Sequence, residues 1–105
     1  MNKFYDLRDE ENKPRVTICE VQTNDCIYLG MAICSTDDNP CKLEGRKGAI
    51  QRISDAVFTG KNCNPVNRPE IRYMLSELLG RKKNQWVLTK LNLGFDPAYK
   101  SQYYR

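Results

Sequence analysis

Hydrophobic and polar positions alternate along Arg15 to Gln22, with Val16 and Ile18 on one side and Thr17, Cys19 and Val21 on the other. This β-branched period of two predicts a strand. Thr23-Asn24-Asp25 is turn chemistry, because Asn and Asp tolerate turn dihedrals and bond their own backbone. From Cys26 to Ser35 the alternation resumes, with Ile27, Leu29, Met31 and Ile33 opposed to Tyr28, Gly30, Ala32 and Cys34. Both sides are largely apolar, which predicts a central strand covered on two faces. Gly30 and Ala32 leave room on the second face for a helix, another subunit or a ligand. The two strands read as an antiparallel hairpin.

The period then changes to 3.6 residues. After an acidic turn containing Asp37, Asp38 and Pro40, the pattern predicts a helix from about Gly45 to Thr59. Ile50, Ile53 and Val57 share one narrow face with Ala49 and Ala56 beside them, Leu43 leads into that face, and Gly60 supplies a C-cap. Lys61 to Val66 reads as loop. Asn67 as N-cap, Pro69 in the first turn and Glu70 three residues on open a second helix. Its core stripe is Ile71, Met74, Leu75, Leu78 and Leu79, and Gly80 ends it. Arg81 to Asn84 is a basic connection, and Trp86 to Leu93 returns to alternation and reads as a strand. Met1 to Lys13 reads as a short edge strand or an ordered arm followed by a loop. The order β-β-α-α-β, with or without that leading strand, predicts one α+β domain over residues 1–105, an antiparallel sheet with two helices on one face.

Composition adds a charge asymmetry. The net charge is +4. Met1 to Gly45 carries five Lys/Arg against nine Asp/Glu, a balance of −4; Arg46 to Arg105 carries twelve against four, a balance of +8. Such polarity suits an anionic partner for the second half or association of copies, or it is a solvated surface whose halves offset each other. Five cysteines without a C-x-x-C pair, and no His, point to reduced thiols and no metal site. No apolar run approaches a membrane span and the N-terminus is too polar for a signal peptide, so a cytoplasmic protein is expected.

Enzyme chemistry has the least support, since there is no His and no nucleophile-elbow, Walker or dinucleotide-binding motif. No cofactor is expected. The stronger candidate is an anion site at the start of the first helix, where Arg46, Lys47 and Arg52 lie within two turns beside Asp37. Free backbone N–H groups and the helix dipole favour an anion there, and a guanidinium fork suits phosphate. Arg46 is expected at the edge of the core with an anionic partner, either the Asp37–Asp38 turn or a ligand. The tail carries Phe95, Tyr99, Tyr103 and Tyr104 among Lys100 and Arg105, a composition that stacks nucleobases and contacts phosphates or packs on the sheet or a neighbouring subunit. Phe95, Tyr103 and Arg105 join the candidate ligand-binding set on that ground.

Ala32, Cys34, Asp37, Gly45, Arg46, Ala49 and Arg52 form a pattern, A-x-C then Asp then G-R-x-x-A-x-x-R, that resembles small bacteriophage proteins. A β-hairpin followed by two helices also resembles the phage anti-Thoeris sponge, a counter-defence family that sequesters cyclic ADP-ribose-type signals between subunits. The resemblance implies a homo-oligomer in the host bacterial cytoplasm that binds a nucleotide-derived signal, cyclic ADP-ribose or a cyclic oligonucleotide, without turning it over. Its ligand residues carry over only to Arg46 and Arg52. The alternatives are a protein-directed inhibitor such as an anti-CRISPR and a small nucleic-acid-binding protein.

Overall fold

A computed structural model describes residues 2–91 and 94–105. The strands β1 (Asn2–Arg8), β2 (Pro14–Gln22) and β3 (Ile27–Ile33) form a meander. Then come α1 (Lys42–Thr59), the short β4 (Cys63–Pro65), α2 (Pro69–Gly80), a 3-10 turn at Lys82–Asn84, α3 (Gln85–Leu91) and β5 (Tyr99–Tyr104). All five strands join one sheet in the order β1-β2-β3-β5-β4, every pair antiparallel. The fold is therefore α+β, an antiparallel sheet with two helices, α2 and α3, on one face. A third helix, α1, lies across the opposite face.

The register decides which side chains share a face, because directly opposed residues in an antiparallel pair point the same way. Leu7 opposes Val16, Ile18 opposes Met31, and Leu29 continues the row. These five pack against Ile71, Leu75 and Leu78 of α2 and Val87 and Leu91 of α3, all buried. The opposite face carries Thr17, Cys19, Gly30 and Ala32, and it receives α1. A Cβ on Gly30 would collide with the Ala49 carbonyl oxygen and come within 2.8 Å of Ile53 N. One on Gly48 would meet the Ala32 Cβ at 3.0 Å. The room left at Gly30 and Ala32 is thus filled by a helix.

Several expectations need correction. The buried face of α1 is Ala49 and Ala56, whereas Ile50 is 42% and Val57 53% exposed, and Leu43 is 61% exposed. Close backbone approach at Gly30 admits only small residues, so the larger aliphatic side chains turn outward. Helix α1 also starts three residues early, at Lys42, so Gly45 lies within its first turn, where a Cβ would strike the Thr17 side chain. Arg68, not Asn67, is the N-cap of α2; it makes no side-chain cap bond and pairs instead with Glu70. Pro69 does occupy the first turn, and Gly60 closes α1 with φ 63°.

The expected strand from Trp86 is α3 as far as Leu91, and its last residue, Leu93, lies outside the described residues. Val87 and Leu91 fit a period of two, but they are also one helical turn apart, and both are fully buried. Cys63–Pro65, read as loop, pairs with β5, and β5 itself comes from the tyrosine-rich tail. Its central residues, Ser101 and Gln102, are polar and buried. Each is satisfied: Asn64 Nδ2 donates to Ser101 Oγ (2.9 Å), and Gln102 Oε1 accepts from the Asp96 N–H (2.8 Å).

Candidate functional site

Strand β1 is an edge of the sheet, and α1 and the α2–α3 connection reach it from opposite faces. On the α1 side the Arg46 guanidinium lies 4.9 Å from the centroid of the Phe4 ring, a cation–π contact. On the other side Trp86 meets Tyr5 edge-on, with ring centroids 6.5 Å apart. Between these walls is a cleft of about 530 Å³, also lined by Arg8, Lys42, Arg81 and Lys83. That volume lies in the range of small-molecule sites.

Asn84 anchors one end of the cleft. Its buried carboxamide accepts from the Arg8 N–H (3.1 Å) and donates to the Arg8 carbonyl (3.1 Å) and the Leu78 carbonyl (2.8 Å). It occupies the place where a sixth strand would begin on β1.

Charge in the cleft is unbalanced. Its two carboxylates are both engaged: Asp6 with Arg8 at 3.4 Å and Asp9 with Arg15 at 3.0 Å. Burial works against the Asp9 charge, yet the Lys13 N–H, the Arg15 guanidinium and the Glu11 N–H together hold its carboxyl below the ordinary value. Among the described residues, no ion pair involves Lys42, Arg46, Arg81 or Lys83. Arg46 and Arg81 each also bury an Nε that has no hydrogen-bond partner among the described residues. A desolvated guanidinium nitrogen without an acceptor is unfavourable, and an anion brought to the same group would offset that.

Of the residues singled out in the sequence, the cleft contains Arg46 alone. Lys47 is exposed on α1. Arg52 sits over β3, its Cβ beside Gly30, and pairs with Asp55 at 3.7 Å. Asp37 is exposed in the loop before α1, its N–H bonded to Ser35 Oγ. Phe95 packs against the α2–α3 core, Tyr103 meets Tyr28 at a tilt with ring centroids 5.4 Å apart, and Arg105 is exposed at the end of the chain.

The expected pairing of Arg46 with the Asp37–Asp38 turn is also replaced. Arg15 holds that turn, donating from Nη1 to the Ser35 and Asp38 carbonyls at 3.0 and 2.9 Å. Arg46 instead turns towards Phe4. Sequence reasoning missed Lys42, Arg81, Lys83, Asn84 and Trp86. The run Arg81-Lys82-Lys83-Asn84 was a visible signal, but only the tertiary fold places it opposite Arg46.

The five cysteines are free. Among the described residues, no group of three His, Cys, Asp or Glu side chains could hold a metal, and no helix is long and apolar enough to cross a membrane. No protein-family model, curated protein or solved structure matches the chain.

Proposed function

We propose that this protein binds a small phosphorylated, nucleotide-derived signal in the β1-edge cleft and sequesters it without turnover, as a phage-type immune-evasion protein in the host bacterial cytoplasm. The observation that carries the reading is the pair Arg46 and Arg81: two guanidinium groups, each with a buried unpartnered Nε, line one cleft that also presents Trp86, Tyr5 and Phe4. Cations for phosphate and aromatic faces for a base are the two halves of nucleotide recognition. The resemblance to the anti-Thoeris sponge supports the same class of ligand, cyclic ADP-ribose or a cyclic oligonucleotide. Assembly of copies belongs to this proposal, supported by the exposed row Leu43, Ile50 and Val57, seven residues apart on α1.

The test is isothermal titration with cyclic ADP-ribose and cyclic dinucleotides, followed by release and mass analysis of the ligand. The expected result is binding that weakens by about 1–3 kcal/mol in Arg46→Ala and again in Arg81→Ala, with the ligand recovered intact. Absence of binding for every phosphorylated nucleotide, or recovery of a cleaved product, rejects the proposal.

A further inference from the structure

The cleft holds a second recognition element besides its cations, the open backbone of β1. The register places Val16, Ile18 and the other even residues of β2 towards β1, because the Arg15 carbonyl faces β3, where it accepts from the Cys34 N–H. The odd residues of β1, Tyr5 and Leu7, therefore bond to β2, and the even residues turn their N–H and C=O outward. Asn84 shows what this open side accepts. Its carboxamide, one acceptor beside one donor, satisfies both backbone groups of Arg8. Two residues back, about 6.8 Å along the strand, Asp6 presents the same donor and acceptor, and Phe4 does so after it. Both residues line the cleft.

The geometry points to a nucleobase that docks edge-on against the open backbone of β1 at Phe4 and Asp6, repeating the contact that Asn84 makes at Arg8. This inference rests on the nucleotide reading above and narrows it. The Watson–Crick edge of adenine carries an acceptor next to an amino donor, the same pairing as a carboxamide. Arg46 and Trp86 then flank the two faces of the base, while Lys42, Arg81 and Lys83 remain for the phosphates. A base read in this way needs its Watson–Crick edge free. The favoured ligands are cyclic oligonucleotides, whose bases keep that edge. Cyclic ADP-ribose closed through adenine N1, which uses the edge as a covalent bond, is disfavoured. An extended acidic peptide is the other occupant of a cationic sheet edge. The aromatic walls and the unpartnered guanidinium groups favour the nucleotide.

Titration calorimetry with two matched pairs tests this: ADP against its N6,N6-dimethyl derivative, and cyclic di-AMP against N1-closed cyclic ADP-ribose. The first member of each pair is expected to bind at least about tenfold tighter, the usual discrimination of a good bidentate contact. Equal binding within both pairs, still lost in Arg81→Ala, means that the base edge is not read; it overturns this inference and leaves the anion site standing. No binding by any of the four overturns this inference, and the nucleotide reading falls with it only if the other phosphorylated nucleotides also fail to bind. Tighter binding of an acidic (Glu-Val)4 peptide than of any nucleotide assigns the open edge to a strand and also overturns the inference.

Discussion

On one face of the sheet, α2 and α3 set Ile71, Leu75, Leu78, Val87 and Leu91 against Leu7, Val16, Ile18, Leu29 and Met31. On the other, α1 lays Ala49 and Ala56 against a surface whose centre is Gly30. The first contact excludes water with large side chains, and the second gains its closeness from having almost none. The difference teaches where function can sit. The close approach of α1 leaves little room beneath the helix, so Leu43, Ile50 and Val57 emerge on its outside and Arg46 reaches sideways over Phe4. The cleft lies where the two kinds of packing meet at β1, with one cationic wall drawn from each face.

The largest effect should come from the aliphatic face. Leu75 is 3% exposed at the middle of α2, and Leu75→Ala removes buried methyl groups that a rigid surround cannot replace. A loss of about 2–5 kcal/mol is expected in urea unfolding. A loss smaller than that of the glycine variant below would invert the comparison between the two faces.

Gly30→Ala comes next. The added Cβ meets backbone, the Ala49 carbonyl, rather than the end of a movable side chain, so α1 must shift. Overpacking of this kind is expected to lower stability by about 1–3 kcal/mol. Because the shift carries Arg46 with it, nucleotide affinity should fall too, although Gly30 itself is not in the cleft. If Gly30→Ala folds with unchanged stability and unchanged affinity, the close approach of α1 is not what positions Arg46.

The same contrast explains how much could be read in advance. Strands β2 and β3 were legible because β-branched residues alternate, and the core stripe of α2 because five aliphatic residues keep a 3.6 period. The orientation of α1 was not legible. The rule that large aliphatic residues face inward selects Ile50, Ile53 and Val57; Ile53 stays half-buried near Gly30, while Ile50 and Val57 turn outward because the glycine opposite brings the helix too close for them. Likewise β5 was hidden, because Ser101 and Gln102 are buried through hydrogen bonds made by distant Asn64 and Asp96. Of the site, the sequence pointed to Arg46, since a guanidinium beside an apolar helix stripe calls for a partner. Arg81 and Trp86 join it from beyond α2, a convergence that no local pattern encodes.

The smallest expected effect concerns Glu20, a buried carboxylate on the aliphatic face of the sheet. It lies between Lys3 of β1 and Leu29 of β3, it is 2% exposed, and its Oε2 has no hydrogen-bond partner among the described residues. Burial pushes its carboxyl above the ordinary value, and the positive charge of Lys3 opposes that rise without cancelling it. A carboxyl with a higher pKa folded than unfolded binds its proton more tightly in the native state. Its contribution is therefore full below the unfolded value, near pH 4.3, and is lost as pH rises through the folded one. Glu20→Gln removes the titration. The stability of the wild type relative to this variant, from urea unfolding at pH 4 and pH 8, should be lower at pH 8, by on the order of 1 kcal/mol, the scale of one buried acceptor left unpaired. Other titrating groups are common to both proteins and cancel in the difference. A gap equal at the two pH values, or one that favours the wild type as pH rises, would show that Glu20 is solvated or paired in the native state.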